Sequence, residues 1–337
     1  KSATLSFSGT ANSHQETNNL EDLIFSFMDV AFTGGDARLV VNSTSTSSGF
    51  GIEFDENPVL TYGYEAFDFD AGPSFDNSPF NIAGKEPSAN GVAFNNDGTR
   101  MFIIGNSSQR AHQYDLDHSF DITSGVAFNA TCSTLFGTGS SGIVFNNDGS
   151  KCYILLGSAG STKAVREYTL SSNFDLSSTL TFVTSYNIGA EELNPQGLRF
   201  SNDGHKMYIV GSNGNEVNQY SLTIAFSLAG TVMYDGSSSL AGTPLDIAFS
   251  SDGLIMFVLS FTQKSIARYR LNTAFDITDG FESAGDAFSL SAQDASPVAI
   301  AFSPDGSKLF MVGSSDDDVY QYSIARGGFT ETEANLG

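Results

Sequence analysis

Residues 91–105 read GVAFNNDGTRMFIIG. The pattern returns as GIVFNNDGSKCYILLG (142–157), GLRFSNDGHKMYIVG (197–211), DIAFSSDGLIMFVLS (246–260) and AIAFSPDGSKLFMVG (299–313). The Asp-Gly pairs begin at Asp97, Asp148, Asp203, Asp252 and Asp305, at spacings of 51, 55, 49 and 53 residues. That period lies near the propeller-blade range and is far longer than a leucine-rich or ankyrin repeat. Each unit has a physical reading. An apolar run ending at Phe94, Phe145, Phe200, Phe249 or Phe302 is a short strand. The N/S-x-D-G turn follows, with Gly supplying positive φ and Asp or Asn capping the backbone. A second strand starts seven residues after the Phe, at Met101, Cys152, Met207, Met256 or Leu309, a core position. A third strand carries Tyr114, Tyr168, Tyr220, Tyr269 or Tyr322, and a Phe at 67, 120, 174, 226 or 275 marks the way into a weaker fourth strand. No segment holds apolar helical periodicity over three turns. Four antiparallel strands repeated about an axis form a β-propeller blade.

The first strand says more. Gly91, Gly142, Gly197, Asp246 and Ala299 stand three residues before each Phe, and Ala93, Val144, Arg199, Ala248 and Ala301 one before it. One blade face is thus mostly small and the other, with Val92, Ile143, Leu198, Ile247 or Ile300 beside the Phe, is large. Adjacent twisted blades interdigitate in that way. Arg199 and Asp246 are the exceptions, in consecutive repeats. A buried charge needs a partner, so they are expected to pair as a structural ion pair, with a polar site near the channel as the functional alternative. Residues 66–325 run fourth strand, then first to third, five times. The segment near 74–82 is therefore expected to complete the last blade. The expected fold is all-β: a five-bladed β-propeller over 66–325, with six blades as the alternative.

Composition narrows the function. The chain has 337 residues, 15 Lys+Arg against 38 Asp+Glu and a formal charge of −23. Phosphate binding needs clustered Lys and Arg, so nucleic acid is excluded as a partner, and so is an anionic membrane surface. No apolar run reaches the length of a membrane helix, and membrane insertion is not expected. With 29 Phe and 12 Tyr the chain can build a real core. The acidic, lysine-poor, Ser/Thr/Asn-rich balance reads as an extracellular or cell-surface protein, or alternatively a virion-surface one. The chain lacks an initial Met and a signal-peptide pattern, and reads as a mature product or an excised segment.

The ends depart from the repeat. Residues 1–58 read as short strands (ATLSFSG, LIFSFMDVAF, ARLVV, FGIEF), a partial Ig-like β-sandwich pattern. Residues 326–337 follow the last blade as a tail. The F-x-x-D-G-x-x-M/L-F/Y pattern over 66–325 resembles the β-propeller repeats of bacterial surface proteins, the YVTN/lactonase-like and WD40-like groups. That resemblance implies the fold and leaves scaffold, adhesin and enzyme open. The stretch at 18–54 resembles half of an Ig-like module from large repetitive bacterial adhesins, and FTETEANLG (329–337) resembles the start of one. The resemblance leaves two implications: the chain is a segment cut from a tandem array, or the tail, with Phe329, Thr330, Glu331 and Thr332, completes the sandwich of another copy by strand addition and builds a head-to-tail filament.

Motifs that suggest chemistry are weak. Gly137-Thr-Gly-Ser-Ser-Gly142 matches G-x-G-x-x-G, but a strand follows where a dinucleotide site needs a helix. His14, His112, His118 and His205 are scattered and read as surface histidines. Asp316-Asp317-Asp318 invites a weak calcium site, although its spacing misses the calcium-loop pattern. Apart from that Ca²⁺, no cofactor and no metal is expected. Cys152 reads as a buried core thiol, and Cys132 and Cys152 as two free thiols. Sequons stand at Asn42, Asn106 and Asn129. The inner ends of the first strands (Ala89/Asn90, Ser140/Ser141, Pro195/Gln196, Pro244/Leu245, Pro297/Val298) are neutral, which argues against catalytic carboxylates around the channel. The expected function is therefore a non-catalytic structural or adhesive module of a surface assembly. Its partners would be other copies, adjacent modules, and a glycan or protein receptor. The alternatives are a lactonase-like or polysaccharide-acting propeller enzyme and a phage or virion receptor-binding protein.

Overall fold

The structure, a computed structural model, describes Phe67, Phe69 and residues 72–157 and 162–324. The expected Ig-like module over 1–58 and the tail over 326–337, with Phe329 to Thr332, lie outside them. The described residues form five antiparallel sheets. Blade 1 is β3 (Ala89–Phe94), β4 (Arg100–Gly105), β5 (Ala111–Leu116) and β6 (Val126–Thr131). Blade 2 is β7 (Ser140–Phe145), β8 (Lys151–Leu156), β9 (Ala164–Leu170) and β10 (Leu180–Asn187). Blade 3 is β11 (Pro195–Phe200), β12 (Lys206–Gly211), β13 (Glu216–Leu222) and β14 (Val232–Ser239). Blade 4 is β15 (Pro244–Phe249), β16 (Ile255–Ser260), β17 (Ser265–Thr273) and β18 (Asp276–Ser283), with the short β19 (Phe288–Ser289) also on β17. Blade 5 is β20 (Pro297–Phe302), β21 (Lys308–Gly313) and β22 (Asp318–Ser323), completed by β1 (Ser74–Phe75) and β2 (Phe80–Asn81). The first described strands thus pair with the last, which closes the ring and covers the β22 edge. The inner strands neighbour one another in the order β3, β7, β11, β15, β20 and back to β3.

The core lies between blades. Five separate apolar clusters each join one blade to the next. An aromatic ladder runs through them. Each first-strand Phe stacks on the ring that opens the previous blade's second strand: Phe94 on Phe310, Phe145 on Phe102, Phe200 on Tyr153, Phe249 on Tyr208 and Phe302 on Phe257, with centroids 4.3–4.6 Å apart. Each such pair adds roughly 0.5–1.5 kcal/mol beyond the area it buries.

Two further devices repeat. Phe67, Phe120, Phe174, Phe226 and Phe275 all sit at positive φ, a strained choice for a bulky residue. Each ring lies where the Cβ of its blade's Asp-Gly glycine would be: Gly306, Gly98, Gly149, Gly204 and Gly253. The glycine therefore serves the turn and also leaves room for the ring. The second device links blades. The residue before each third-strand Tyr reaches the next blade: Leu176 N donates to Gln113, Leu228 N to Glu167, Ile277 N to Gln219 and Ile122 N to Gln321, at 2.7–3.0 Å. In blade 4 the equivalent residue is Arg268, whose guanidinium lies 5.6 Å from the Phe69 ring centroid.

Candidate functional site

The first strand of every blade carries the same irregularity. Register shifts between Ala89 and Gly91, Ser140 and Gly142, Pro195 and Gly197, Pro244 and Asp246, and Pro297 and Ala299. The bulged residues are Asn90, Ser141, Gln196, Leu245 and Val298. Bulges of this kind re-aim a side chain, and at Asn90 and Ser141 they turn it toward the next blade. Asn90 Nδ2 donates to Ser140 O at 3.3 Å and Ser141 Oγ to Pro195 O at 3.4 Å, both on the next blade. Just inside, the inner strands approach closely. A Cβ on Gly91 would stand 3.1 Å from Gly142 Cα, and one on Gly197 2.8 Å from Asp246 Cα. Glycine is required where backbone meets backbone.

Asp246 occupies this small-residue position in blade 4. Its Oδ1 accepts from Ile247 N at 2.8 Å, and its Oδ2 accepts from Ile300 N of blade 5 at 2.9 Å. Arg199 of blade 3 completes the constellation. Its Nη2 lies 3.1 Å from Asp246 Oδ2 and donates to Ile300 O at 2.6 Å, while Nη1 donates to Leu198 O at 2.8 Å. Arg199 thus reaches past blade 4 to blade 5, in front of the β15 inner strand. The Asp246 side chain is 6% exposed and that of Arg199 19%. Burial raises the Asp246 carboxyl above its ordinary value. The Arg199 charge and the Ile300 and Ile247 amides oppose the rise without cancelling it. A buried carboxylate with a raised pKa, beside a cation that solvent still reaches, is an arrangement found at catalytic sites as well as in structural networks.

Three other buried carboxylates recur around the ring, and they were not singled out in the sequence. Glu86, Glu192 and Asp294 are buried in the loops that enter blades 1, 3 and 5. Each stands where a Cβ on the glycine ending the second strand would be: Gly105, Gly211 and Gly313. Glu86 accepts from Ser88, Ser107 and Ser108 N; Glu192 from Asn194 and Asn213 N; Asp294 from Ser296 and Asp316 N. Their legible signal is a carboxylate nineteen residues before that glycine, repeated in three blades.

The remaining expectations divide. His112 is buried in β5, not on the surface. Its Nδ1 bonds Thr131 Oγ1 and its Nε2 bonds Ser108 Oγ, both at 2.9 Å. His112 lies two residues before the core Tyr114, on the same strand face, and that spacing is the signal of its burial. His118 and His205 are exposed. Cys132 and Cys152 are buried free thiols in the cluster between blades 1 and 2. Asp316, Asp317 and Asp318 follow β21. Asp316 Oδ2 accepts from Tyr320 Oη and Asp318 Oδ1 from Asn81 Nδ2. Among the described residues no group of three His, Cys, Asp or Glu converges to hold a metal ion.

No family model and no curated protein matches the chain. Solved structures do. A candidate 6-phosphogluconolactonase of Bacteroides uniformis aligns with 72% of this chain and 69% of its own, at 14% identity and a TM-score of 0.44. The periplasmic gluconolactonase PpgL of Pseudomonas aeruginosa aligns with 58% and 52%, at 17% identity and a TM-score of 0.38. A luciferin-regenerating enzyme aligns with 77% and 98%, at 14% identity and a TM-score of 0.45. The chain therefore spans about half the length of the Pseudomonas protein. These are likenesses of fold. The expectation of a non-catalytic structural or adhesive module is nevertheless corrected by them. The propellers that the chain resembles are named as lactonases and as a regenerating enzyme, not as structural or adhesive modules. Asp246 is the one carboxylate beside the neutral strand ends, one residue further in than Leu245.

Proposed function

We propose that this propeller hydrolyses a small cyclic ester, with the chemistry at Arg199 and Asp246. One observation carries the reading. An ion pair with a buried carboxylate and a partly exposed guanidinium stands on the inner strands, in positions where the other blades place Gly, Ala or Val. Burying two charges is costly and is often no better for stability than apolar packing, so a role besides packing is indicated. The Arg199 guanidinium polarises the carbonyl oxygen and stabilises the charge that develops there. Asp246, with its raised pKa, accepts a proton from the attacking water. The water oxygen bonds to the carbonyl carbon, the ring C–O bond breaks, and the leaving oxygen takes the proton from Asp246, giving the hydroxy acid. Solved propellers of this shape carry lactonase names, which supplies the substrate class to test first. A net charge of −23 repels anions, so a neutral lactone is favoured over a phosphorylated one. The acidic, lysine-poor composition supports an extracellular setting.

The test is acid release, followed in a pH-stat, from five- and six-membered sugar lactones. Wild type is expected to turn over. Arg199→Met is expected to lose about 100-fold in kcat/KM while still melting cooperatively, on the scale of removing one oxyanion donor. The acid limb of the rate profile should lie above the ordinary aspartate range, because the working form of Asp246 is the deprotonated one and its pKa is raised. Absence of turnover across the panel, or unchanged turnover in a folded Arg199→Met, rejects the reading.

A further inference from the structure

Blades 1 and 3 contain related carboxylate clasps that differ at one turn residue, Ser108 in blade 1 and Gly214 in blade 3. In blade 1, Glu86 Oε2 accepts from Ser108 Oγ at 2.5 Å, and Ser108 Oγ lies 2.9 Å from His112 Nε2. One hydroxyl thus bridges carboxylate and ring. Blade 3 repeats the frame. Glu192 stands behind Gly211 as Glu86 stands behind Gly105. It accepts from Asn194 and Asn213 N as Glu86 does from Ser88 and Ser107 N. Counting from those glycines, Gly214 takes the place of Ser108, and Asn218 that of His112. Blade 5 follows blade 1 here: Asp316, the counterpart of Ser108, has its Oδ2 against Tyr320 Oη, the counterpart of His112. In blade 3 Gly214, at φ +96, supplies neither the hydroxyl nor the backbone amide that Ser108 gives to the carboxylate in blade 1.

The atoms on either side of that place register the difference. Glu192 Oε2 and Asn218 Nδ2 are buried and meet no hydrogen-bond partner among the described residues, and both residues are 0% exposed. The Tyr220 hydroxyl is also unpartnered, but so is Tyr114 in blade 1, so it does not distinguish the two. The carboxylates respond in opposite directions. Burial raises both, but bonds from His112, Ser108 and Ser107 carry Glu86 down to about 2, whereas the two amides on Glu192 leave it raised.

We infer that blade 3 binds a single internal water in the position that the Ser108 hydroxyl fills in blade 1. The water accepts from Asn218 Nδ2 and donates to Glu192 Oε2. The donor set decides between occupants. An amide N–H on one side and a carboxylate oxygen on the other match a hydroxyl, which accepts and donates, and a metal cation would be repelled by the amide hydrogens. Nothing in this site touches Arg199 or Asp246, so it stands whether or not the chain is a hydrolase.

A high-resolution crystal structure of the whole chain, grown without alcohols and compared with Ser108→Gly, tests this. Ser108 is not among the residues at positive φ, so glycine is tolerated there. The wild type should show one solvent peak within hydrogen-bond reach of Glu192 Oε2 and Asn218 Nδ2. Ser108→Gly should show a second, between Glu86 and His112. In solution, a long-lived water should give cross-relaxation to the Asn218 side-chain amide. A dry site with Glu192 turned onto another side chain overturns the inference. So does an anomalous peak there after rubidium exchange, which would identify a cation.

Discussion

A glycine in this protein answers to two neighbours at once. Gly204 has φ +71, and a Cβ there would enter the Phe226 ring, itself at φ +51. The strain of a left-handed Phe is offset because its ring packs over the glycine and against Phe200, with centroids 5.6 Å apart. Gly204→Ala should therefore cost about 3 kcal/mol, from roughly 1–2 kcal/mol of backbone strain and a similar cost for overpacking a core ring. Chemical denaturation of the two proteins measures it; a loss under about 1 kcal/mol would show that the ring moves aside freely. The turn role of glycine was legible in N-D-G. The ring above it was not, because the two are more than twenty residues apart and only the folded blade brings them together. Asp246 is the other case at this scale. Asp246→Asn keeps the shape but turns an NH2 group toward one of the buried donors that the carboxylate accepts from, Ile247 N or Ile300 N, and a loss of about 2 kcal/mol is expected at neutral pH from the orphaned donor. The sign with pH is opposite to that of a clasped carboxylate. The raised folded pKa means that ionisation opposes folding, so the Asp246 contribution weakens as pH rises from its unfolded value through its folded one.

Between elements, buried side chains do what the backbone ladder does within them. Glu86 holds the β4–β5 turn through Ser107 and Ser108. Its pKa falls from 4.5 to about 2, which corresponds to about 3 kcal/mol. Since the folded value is the lower one, that stability is complete above pH 4.5 and is lost as pH falls towards 2. Glu86→Gln should therefore melt well below wild type at pH 7, and the difference should shrink through that window; a constant difference at all pH values would assign the effect to shape. Between blades, Gln113→Leu removes the acceptor for Leu176 N and should cost about 2 kcal/mol, the penalty of one orphaned buried donor. The blade strands themselves were legible from periodicity, turn residues and aromatic positions. Glu86 and Gln113 were passed over because a polar residue outside a named motif reads as solvated until a burial pattern is known.

For the whole ring, closure is the decisive contact. β1 and β2 pair with β22, and Lys308 Nζ meets Asp76 Oδ2 at 2.9 Å, so residues from opposite ends of the repeat hold one blade. Removing residues 1–81 should expose the β22 edge, with loss of the single cooperative melt and concentration-dependent association by size exclusion. A truncated chain that stayed monomeric with an unchanged melt would mean that the blades stand without the closing strand. The ring also explains why the candidate site was only half visible. Arg199 and Asp246 stood out as charges in a row of small residues. That Arg199 would pass blade 4 and reach Ile300, 101 residues later, depends on the curvature of the closed ring.

What the sequence alone determined is what repeats: the fifty-residue period, the strands within it, the Asp-Gly turns, and a large face set against a small one. Those are local preferences, and each of five copies states them again. Only the tertiary structure decided which atoms meet. It placed each Phe over its glycine, sent Gln113 and its counterparts to the next blade, and brought Arg199, Asp246 and Ile300 to one point. It also left Glu192 Oε2 and Asn218 Nδ2 buried without a hydrogen-bond partner among the described residues. Those contacts join residues far apart in the chain, and their energy depends on distances of a few ångströms that no single repeat specifies.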